Sequence, residues 1–369
     1  MKARPVILSG GAGVRLWPIS RKNLAKQFVD IFHNETSLFT ETIKRVTNSN
    51  FSHPLVISNI SQRFEILKLV KKHKIKTDKI ILEPLQKNTA PACAFAINYT
   101  EPEEVLCIMP SDHFINSKEK FLNTLKQAIS LAKDDKLVTI GAKASFPNVN
   151  YGYILPTKGK KFGKSFIIKK FIEKPDESVA AKLIKNNALW NTGIIVVKNK
   201  VLKNLFLNFS KLLYKNSVLA CNNSFRENEF IILDKRPLEK IKEVSVDFEI
   251  LEKSFQKLVI PYTGQWSDLG TYDSLHRVKK SLGNVISFKS ENNFTYSDKK
   301  LLVVAGVKNL VIVNTKNAIL VTKKSSSILL RNIMKKLVKK KYSEAFDDAI
   351  ISRPWGSFEN IKSEKGYKV

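Results

Sequence analysis

Cysteine is scarce in this chain: Cys93, Cys107 and Cys221 are the only three among 369 residues. They are odd in number and widely spaced, and Cys93 and Cys107 lie in apolar stretches, which fits reduced core thiols better than bridges or a metal site. Long apolar runs are missing as well. No stretch approaches the roughly 20 residues that span a bilayer, and no N-terminal segment pairs a basic region with an apolar core and a small-residue cleavage site. The expectation is a cytoplasmic protein with no membrane partner. Acidic residues are few, 33 against 63 Lys and Arg, for a formal charge of +30. That excess raises the question of nucleic acid, but the lysines spread along the whole chain, without paired Cys/His spacing or an aromatic RNA-binding pattern. No nucleic-acid partner is expected. The densest run, "RNIMKKLVKKK" at 331–341, has six cations and no acid and reads as a solvated face or tail.

What the chain does have is core. With 43% hydrophobic residues it can bury a sizeable interior and divide into two or three domains. Short apolar runs at 5–9, 55–58, 79–82, 105–109 and 137–140 suit buried parallel strands. Between them stand helix-period segments at 37–48, 61–74 with Ser61 as its cap, 89–99 and 117–133. The alternation implies an α/β fold: an open, Rossmann-like, mostly parallel sheet with helices on both faces and a ligand site at the carboxyl ends of the strands. From about 285 the runs "NVISF", "LLVVAGV", "NLVIVNT" and "AILVT" follow one another without helices, as a small all-β appendix does. The expected division is a domain over 1–280, a β-helix-like domain over 285–342 and a linker or remnant over 343–369.

The segments that fall at strand ends carry the chemistry. After the first apolar run comes "SGGAGVRLWPISRKNLAKQF", which lacks both the Walker A pattern and the third glycine of the dinucleotide fingerprint. Alone it marks a tight turn. With Arg15 and Lys26 behind it, the backbone of Gly10, Gly11 and Gly13 becomes a candidate phosphate cradle. "MPSDHFI" places Asp112 just past a buried strand, where an acid serves either as a Mg²⁺ ligand or as the cap of the next helix. His113 has no second histidine or cysteine at metal spacing and reads as a hydrogen-bonded neighbour. A second acid, Asp268, lies in "WSDLGTYDSL", again before a helix. No Ser-His-Asp or Cys-His arrangement is found.

These motifs, with "EPLQKNTAPA", "YGYI", "FIEKPD", "LWNTGI" and "SVDFEILEKS", stand in the order and spacing of one family. Over about residues 5 to 330 the chain resembles bacterial mannose-1-phosphate guanylyltransferases, the GDP-mannose pyrophosphorylases, which implies a GT-A-like nucleotidyltransferase fold with a mixed sheet and helices on both faces. "LLVVAGVKNLVIVNTKNAILV" looks like that family's short left-handed β-helix. "RPWGSFENI" with the final "GYKV" looks like the opening of the cupin isomerase domain of bifunctional members, and no isomerase activity is expected of a chain that ends at Val369.

The resemblance implies transfer of GMP from GTP to mannose 1-phosphate with Mg²⁺ as cofactor. It assigns the triphosphate and leaving pyrophosphate to Arg15 and Lys26, and the metal to Asp112 and Asp268. Glu83, Pro84, Asn88 and Thr89 would lie near the guanine. Gly152 and Asn191 would line the sugar pocket, with Glu173 on the mannose hydroxyls and Lys174 on the sugar phosphate. Taken alone, "EKP" is a helix-initiating turn with Pro175 early in the helix. The chain departs from the family at Val14, where Thr is usual, at Ala25 (Pro), at Lys87 (Arg) and in "VNYGYI" for "TGYGYI". Ala25 frees a backbone that proline fixes, and Lys87 keeps charge without bidentate geometry. An active enzyme is expected. The rival expectations are another base or hexose 1-phosphate, and a catalytically silent sugar-nucleotide sensor. The β appendix is a candidate surface for a homodimer.

Overall fold

The computed structural model describes residues 2–368 except 12–13, 164, 255, 325, 349, 354–355, 360–362 and 365–366. Its centre is an eleven-stranded sheet. The five apolar runs form strands within one or two residues of their expected bounds: Arg4–Leu8, Leu55–Asn59, Lys79–Glu83, Val105–Pro110 and Val138–Lys143. The first four lie side by side and parallel, Lys79–Glu83 outermost and Val105–Pro110 innermost. Their residues are buried on both faces, which is why they read as continuous apolar runs rather than alternations. Two core clusters sandwich this sheet, one on each face.

The sheet is mixed, as the resemblance implies, and its other half departs from the parallel series that the alternation alone suggests. Leu189–Lys198 runs antiparallel to both Val105–Pro110 and Val138–Lys143, and beyond them come Leu258–Tyr262, Ser165–Glu173 and Gly152–Phe162. The Gly152–Phe162 and Ser165–Glu173 strands pair antiparallel. The sequence alone conceals them because Pro156, Gly159 and the surrounding lysines resemble a loop, although their pairing partners make them strands.

Helices follow the expected segments with one change of cap. Ser37 caps Leu38–Arg45 by accepting from Thr40 N, and Ser117 accepts from Lys120 N to cap Lys118–Lys133. Asp112 is therefore not that helix's cap. At the 61–74 segment the cap is Asn59, whose side chain accepts from Ser61 N, and the α-helix proper begins at Arg63. "FIEKPD" ends a strand and starts a helix: Asp176 caps Glu177–Lys185, with Pro175 one residue before the cap rather than inside the helix. Among the described residues, no helix is long and apolar enough to cross a membrane.

The appendix is a four-stranded sheet, Ser281–Phe288, Phe294–Ala305, Leu310–Asn314 and Ile319–Lys323, parallel except for its last pair. The basic run at 331–341 is not a free tail. It forms most of the helix Ser327–Lys339, whose Leu330 and Met334 are buried while its lysines face outward. Nor is the stretch beyond 342 wholly irregular: Ser343–Ala345 is a 3-10 turn, and Ile350–Arg353 pairs with Gly356–Glu359.

A third core cluster joins this appendix to the N-terminal segment. Leu16, Trp17 and Ile19 pack with Tyr272, Phe294, Val311 and Met334. Arg21 is fully buried at the same junction. Its guanidinium donates to Glu344 O at 2.6 Å, Asn317 Oδ1 at 2.7 Å and Thr315 Oγ1 at 3.2 Å. Replacing it removes a donor from each of three acceptors, of which Thr315 Oγ1 is buried and Glu344 O keeps only its bond from Trp17 Nε1. Arg21→Ala is expected to destabilise the chain by about 3 kcal/mol, seen as a lower melting temperature. An unchanged melting temperature would show that the junction carries no stability.

Candidate functional site

The parallel strands Arg4–Leu8, Leu55–Asn59, Lys79–Glu83 and Val105–Pro110 all end at the rim of one cavity of 420 Å³. Gly10, Gly11, Glu83, Asn88, Thr89 and Asp112 line it together. Six positions singled out along the sequence are thus gathered by the topology alone, at the strand ends where open α/β sheets hold ligands. Pro84 belongs to the same loop but is not among the lining residues, and Gly13 lies outside the described residues. Gly10 and Gly11 are held by side chains to which the sequence alone gives no role. Gln27 Nε2 donates to Ser9 O at 3.1 Å and Gly11 O at 3.0 Å, and Gln86 Nε2 donates to Gly10 O.

Lys26 is 6% exposed and sits on the 3-10 turn Lys26–Phe28. Its ammonium lies 3.0 Å from Asp112 Oδ2 and donates to the backbone carbonyl of Asp268. The two acids, far apart in sequence, meet because Phe114–Ile115 pairs antiparallel with Trp266–Ser267. Burial alone would raise the Asp112 pKa, yet the Lys26 ammonium, with His113 contributing, holds it below the ordinary value. Asp268 Oδ1 accepts from Tyr151 OH at 2.6 Å and Gly270 N at 3.0 Å. The helix behind it, Tyr272–Val278, is capped by Thr271 and makes no claim on Asp268. His113 accepts from Trp266 Nε1 at 3.3 Å and lies 3.6 Å from Asp112 Oδ1.

Gly152, Glu173 and Asn191 form a second group. Gly152 pairs with Glu173 across the antiparallel ladder. A Cβ on Gly152 would lie 2.5 Å from Glu173 Oε2, so only glycine leaves room for that carboxylate. Lys174 is exposed, adopts φ +48°, and pairs with Glu173 Oε1 at 3.0 Å. Asn191 Nδ2 donates to Asp247 Oδ1 at 2.7 Å. Asp247 stands in the motif "SVDFEILEKS", but its role is not legible until it meets Asn191. Burial, and then the nearby charge of Glu173, push its pKa up to about 6. It opens a π-helical turn, Asp247–Leu251, a distortion frequent at functional sites. The chain just before it ties this group to the first: Val246 N donates to Thr89 Oγ1 at 3.0 Å, and Ala90 N to Val244 O at 3.2 Å.

Arg15 is placed elsewhere. It is exposed and lines a separate small cavity with Thr271, Asp273, Val311 and Lys323, against the β appendix.

Glu83 closes the inner end of the main cavity. It is buried, its Oε1 has no hydrogen-bond partner among the described residues, and burial pushes its pKa up to about 8. A carboxyl whose folded pKa is raised keeps its proton through the window from about 4.5 to about 8, and stability falls as pH rises through it. Glu83→Gln cannot ionise. The variant should match the parent at pH 5 and be the more stable at pH 9, by on the order of 4 kcal/mol, measured by thermal melts across that range. Parallel pH profiles for the two proteins would contradict the buried, protonated carboxyl.

Comparison with known proteins gives the family. Residues 4–284 match the family described as nucleotidyl transferase, and residues 283–337 match a MannoseP isomerase/GMP-like beta-helix domain. The chain is 32% identical to a mannose-1-phosphate guanylyltransferase of Salmonella muenchen, over all of this chain and 80% of that protein. It is 30% identical to the alginate biosynthesis protein AlgA of Pseudomonas aeruginosa, over 99% of this chain and 78% of that one. A Thermus thermophilus structure described as a mannose-1-phosphate geranyltransferase superposes with a TM-score of 0.77 at 22% identity, covering 92% of this chain and all of that one; at that identity it speaks for the fold. The chain is thus a member of the nucleotidyl transferase family, and its C-terminal segment matches the MannoseP isomerase/GMP-like beta-helix domain.

Proposed function

We propose that the protein transfers GMP from GTP to mannose 1-phosphate, giving GDP-mannose and pyrophosphate. The observation that carries this reading is the convergence of Lys26, Asp112 and Asp268 beside the glycine-lined cavity, in a chain whose relatives bear the guanylyltransferase name. A phosphate oxygen of mannose 1-phosphate attacks the α-phosphorus of GTP. The bond from that phosphorus to the β-phosphate oxygen breaks, and pyrophosphate leaves with the electron pair. The nucleophile is already largely ionised near neutral pH, its second pKa being about 6. No protein base is needed, in keeping with the missing Ser-His-Asp and Cys-His arrangements. The protein's task is positioning and charge.

A divalent ion fits the donor set. The Asp112 carboxylate and the Asp268 backbone carbonyl both meet the Lys26 ammonium, the Asp268 carboxylate is held by Tyr151 OH and Gly270 N, and no group of three or more His, Cys, Asp or Glu among the described residues could hold a metal ion by itself. Two carboxylates are what Mg²⁺ takes when phosphate oxygens complete its octahedron. When bound, Mg²⁺ supplies charge neutralisation on the phosphates. Asp112 and Asp268 would hold it, and Lys26 would move its ammonium from the acids to a phosphate oxygen. Gly10 and Gly11 let the triphosphate approach the backbone, while Glu83, Pro84, Asn88 and Thr89 take the base end. Glu173 and Asn191 take the sugar hydroxyls, and Lys174 leaves Glu173 for the sugar phosphate. Arg15 is assigned the leaving pyrophosphate. From its place beside Asp273 its side chain has to turn toward Gly11 as the nucleotide binds.

Pyrophosphate release from purified protein with Mg²⁺ and mannose 1-phosphate should be supported by GTP in preference to UTP, ATP and dTTP. Asp112→Ala and Lys26→Ala should each lower kcat by about 10²-fold or more. Silence with every nucleotide, alongside GDP-mannose binding, would make the chain a sensor rather than an enzyme. Activity with glucose 1-phosphate in place of the mannose ester would move the assignment to another hexose. Gly152→Ala, which displaces Glu173, is expected to raise KM for mannose 1-phosphate about tenfold while leaving that for GTP alone. A change in the GTP value instead would show that these residues do not serve the sugar.

A further inference from the structure

Behind the sugar-side residues, on the other face of the sheet, lies a cavity of 240 Å³ that the proposed reaction does not use. Trp190 and Asn191 are consecutive in one strand and so point to opposite faces: Asn191 toward Asp247, Trp190 toward this cavity. Its floor is aromatic. Tyr151, Trp190 and Trp266 are buried there, with Tyr151 packed nearly edge-on at 5.2 Å from Trp190 and 5.3 Å from Trp266. Its rim is cationic. Arg277 and Lys143 are exposed, and the Arg277 guanidinium lies 3.6 Å over the ring of Phe146. Among the described residues, no Asp or Glu lines the cavity.

Trp190 is 5% exposed, and its indole Nε1 is buried without an acceptor among the described residues. The nitrogen is closed off from solvent, so what Trp190 offers the cavity is its ring. We propose that this cavity is a second ligand site, one that takes a phosphate monoester with an aromatic ring in the same molecule, as in an aryl phosphate or a nucleoside monophosphate. The ring lies on the Trp190–Trp266 floor, and Arg277 and Lys143 take the phosphate. A sugar phosphate fits less well, because no carboxylate among the described residues lines the cavity to accept from sugar hydroxyls.

The floor touches both candidate metal acids. Tyr151 OH donates to Asp268 Oδ1 at 2.6 Å, and Trp266 Nε1 donates to His113 Nδ1 at 3.3 Å, with His113 in turn 3.6 Å from Asp112 Oδ1. A ligand that shifts these two rings shifts the pair of acids. The coupling rests on the metal-assisted reading above; the site itself does not.

The test is titration of the full-length protein with phenyl phosphate, followed by tryptophan emission and by calorimetry, with GMP, mannose 6-phosphate and inorganic phosphate as further arms. One phenyl phosphate per chain should bind, at least tenfold more tightly than inorganic phosphate or mannose 6-phosphate, and GMP should displace it. Arg277→Ala and Trp190→Phe should each weaken binding at least tenfold, while Arg277→Ala leaves GDP-mannose formation without the probe unchanged. Inorganic phosphate binding as well as phenyl phosphate, or binding indifferent to both substitutions, overturns the site. Affinity for Mn²⁺, measured by electron paramagnetic resonance, should change severalfold when phenyl phosphate saturates; no change overturns the coupling. If phenyl phosphate binds through Arg277 in a protein that makes no GDP-mannose, the reaction assignment fails and the site stands. A working enzyme whose tryptophans ignore the probe loses the site alone.

Discussion

A buried ammonium has to be met by negative charge or by carbonyl oxygen, and much of this molecule is arranged around meeting the one on Lys26. The Asp112 carboxylate and the Asp268 carbonyl do so from distant parts of the chain. They can only because a two-residue ladder fixes Phe114 against Ser267. The residue after Lys26 has an equally fixed task, since Gln27 ties down the carbonyls of Ser9 and Gly11. One short turn therefore sets the distance between the two acids and the course of the glycine segment. A cation held this way is also ready to leave. Each of its partners is an oxygen that a divalent ion would satisfy as well.

The sheet explains why the site stands where it does. Four of its parallel strands, from Lys79–Glu83 to Val105–Pro110, bring their carboxyl ends to one edge, and the change to antiparallel pairing at Leu189–Lys198 stops that series. At the change of direction Gly193 adopts φ +66° and packs against Pro110, which lines the main cavity. The antiparallel half then supplies Gly152, Glu173 and Asn191 from strands rather than from loops. Gly152, Glu173 and Asn191 are thereby fixed by strand pairing, whereas Gly10, Gly11 and Asn88 stand on the turns that follow strand ends.

The parallel half of the fold was legible because buried strands read as apolar runs, and the ordered motifs fell at their ends. What was not legible depended on distant pairing. Nothing local indicates that Asp112 and Asp268 meet, since their meeting is decided by the partnership of Ser267 with Phe114. Asp247 stands within a motif and has no role that the motif alone reveals, for its role is a bond to Asn191. Gly152–Phe162 carries proline, glycine and a cluster of lysines that locally argue against a strand, and tertiary pairing overrides them. The helix at 331–341 misleads in the opposite way. Six cations dominate its composition, while its buried face is set by Leu330 and Met334.

Arg15 shows how the appendix enters the chemistry of the main domain. The segment that carries it is suspended between two anchors. On one side Gly10 and Gly11 are fixed to the sheet through Gln86 and Gln27. On the other, Leu16 and Trp17 are packed in the third core, and Trp17 Nε1 donates to Glu344 O at 2.9 Å. Arg21 repeats that hold a few residues later with three bonds to the appendix and the turn beyond it. Arg15 thus sits where the sheet's anchor ends and the appendix's begins. A side chain so placed can be turned toward the nucleotide cavity without breaking either anchor, but its starting position is dictated by the appendix. The buried arginine at position 21 is the strut that ties the stretch after Leu16 to the appendix.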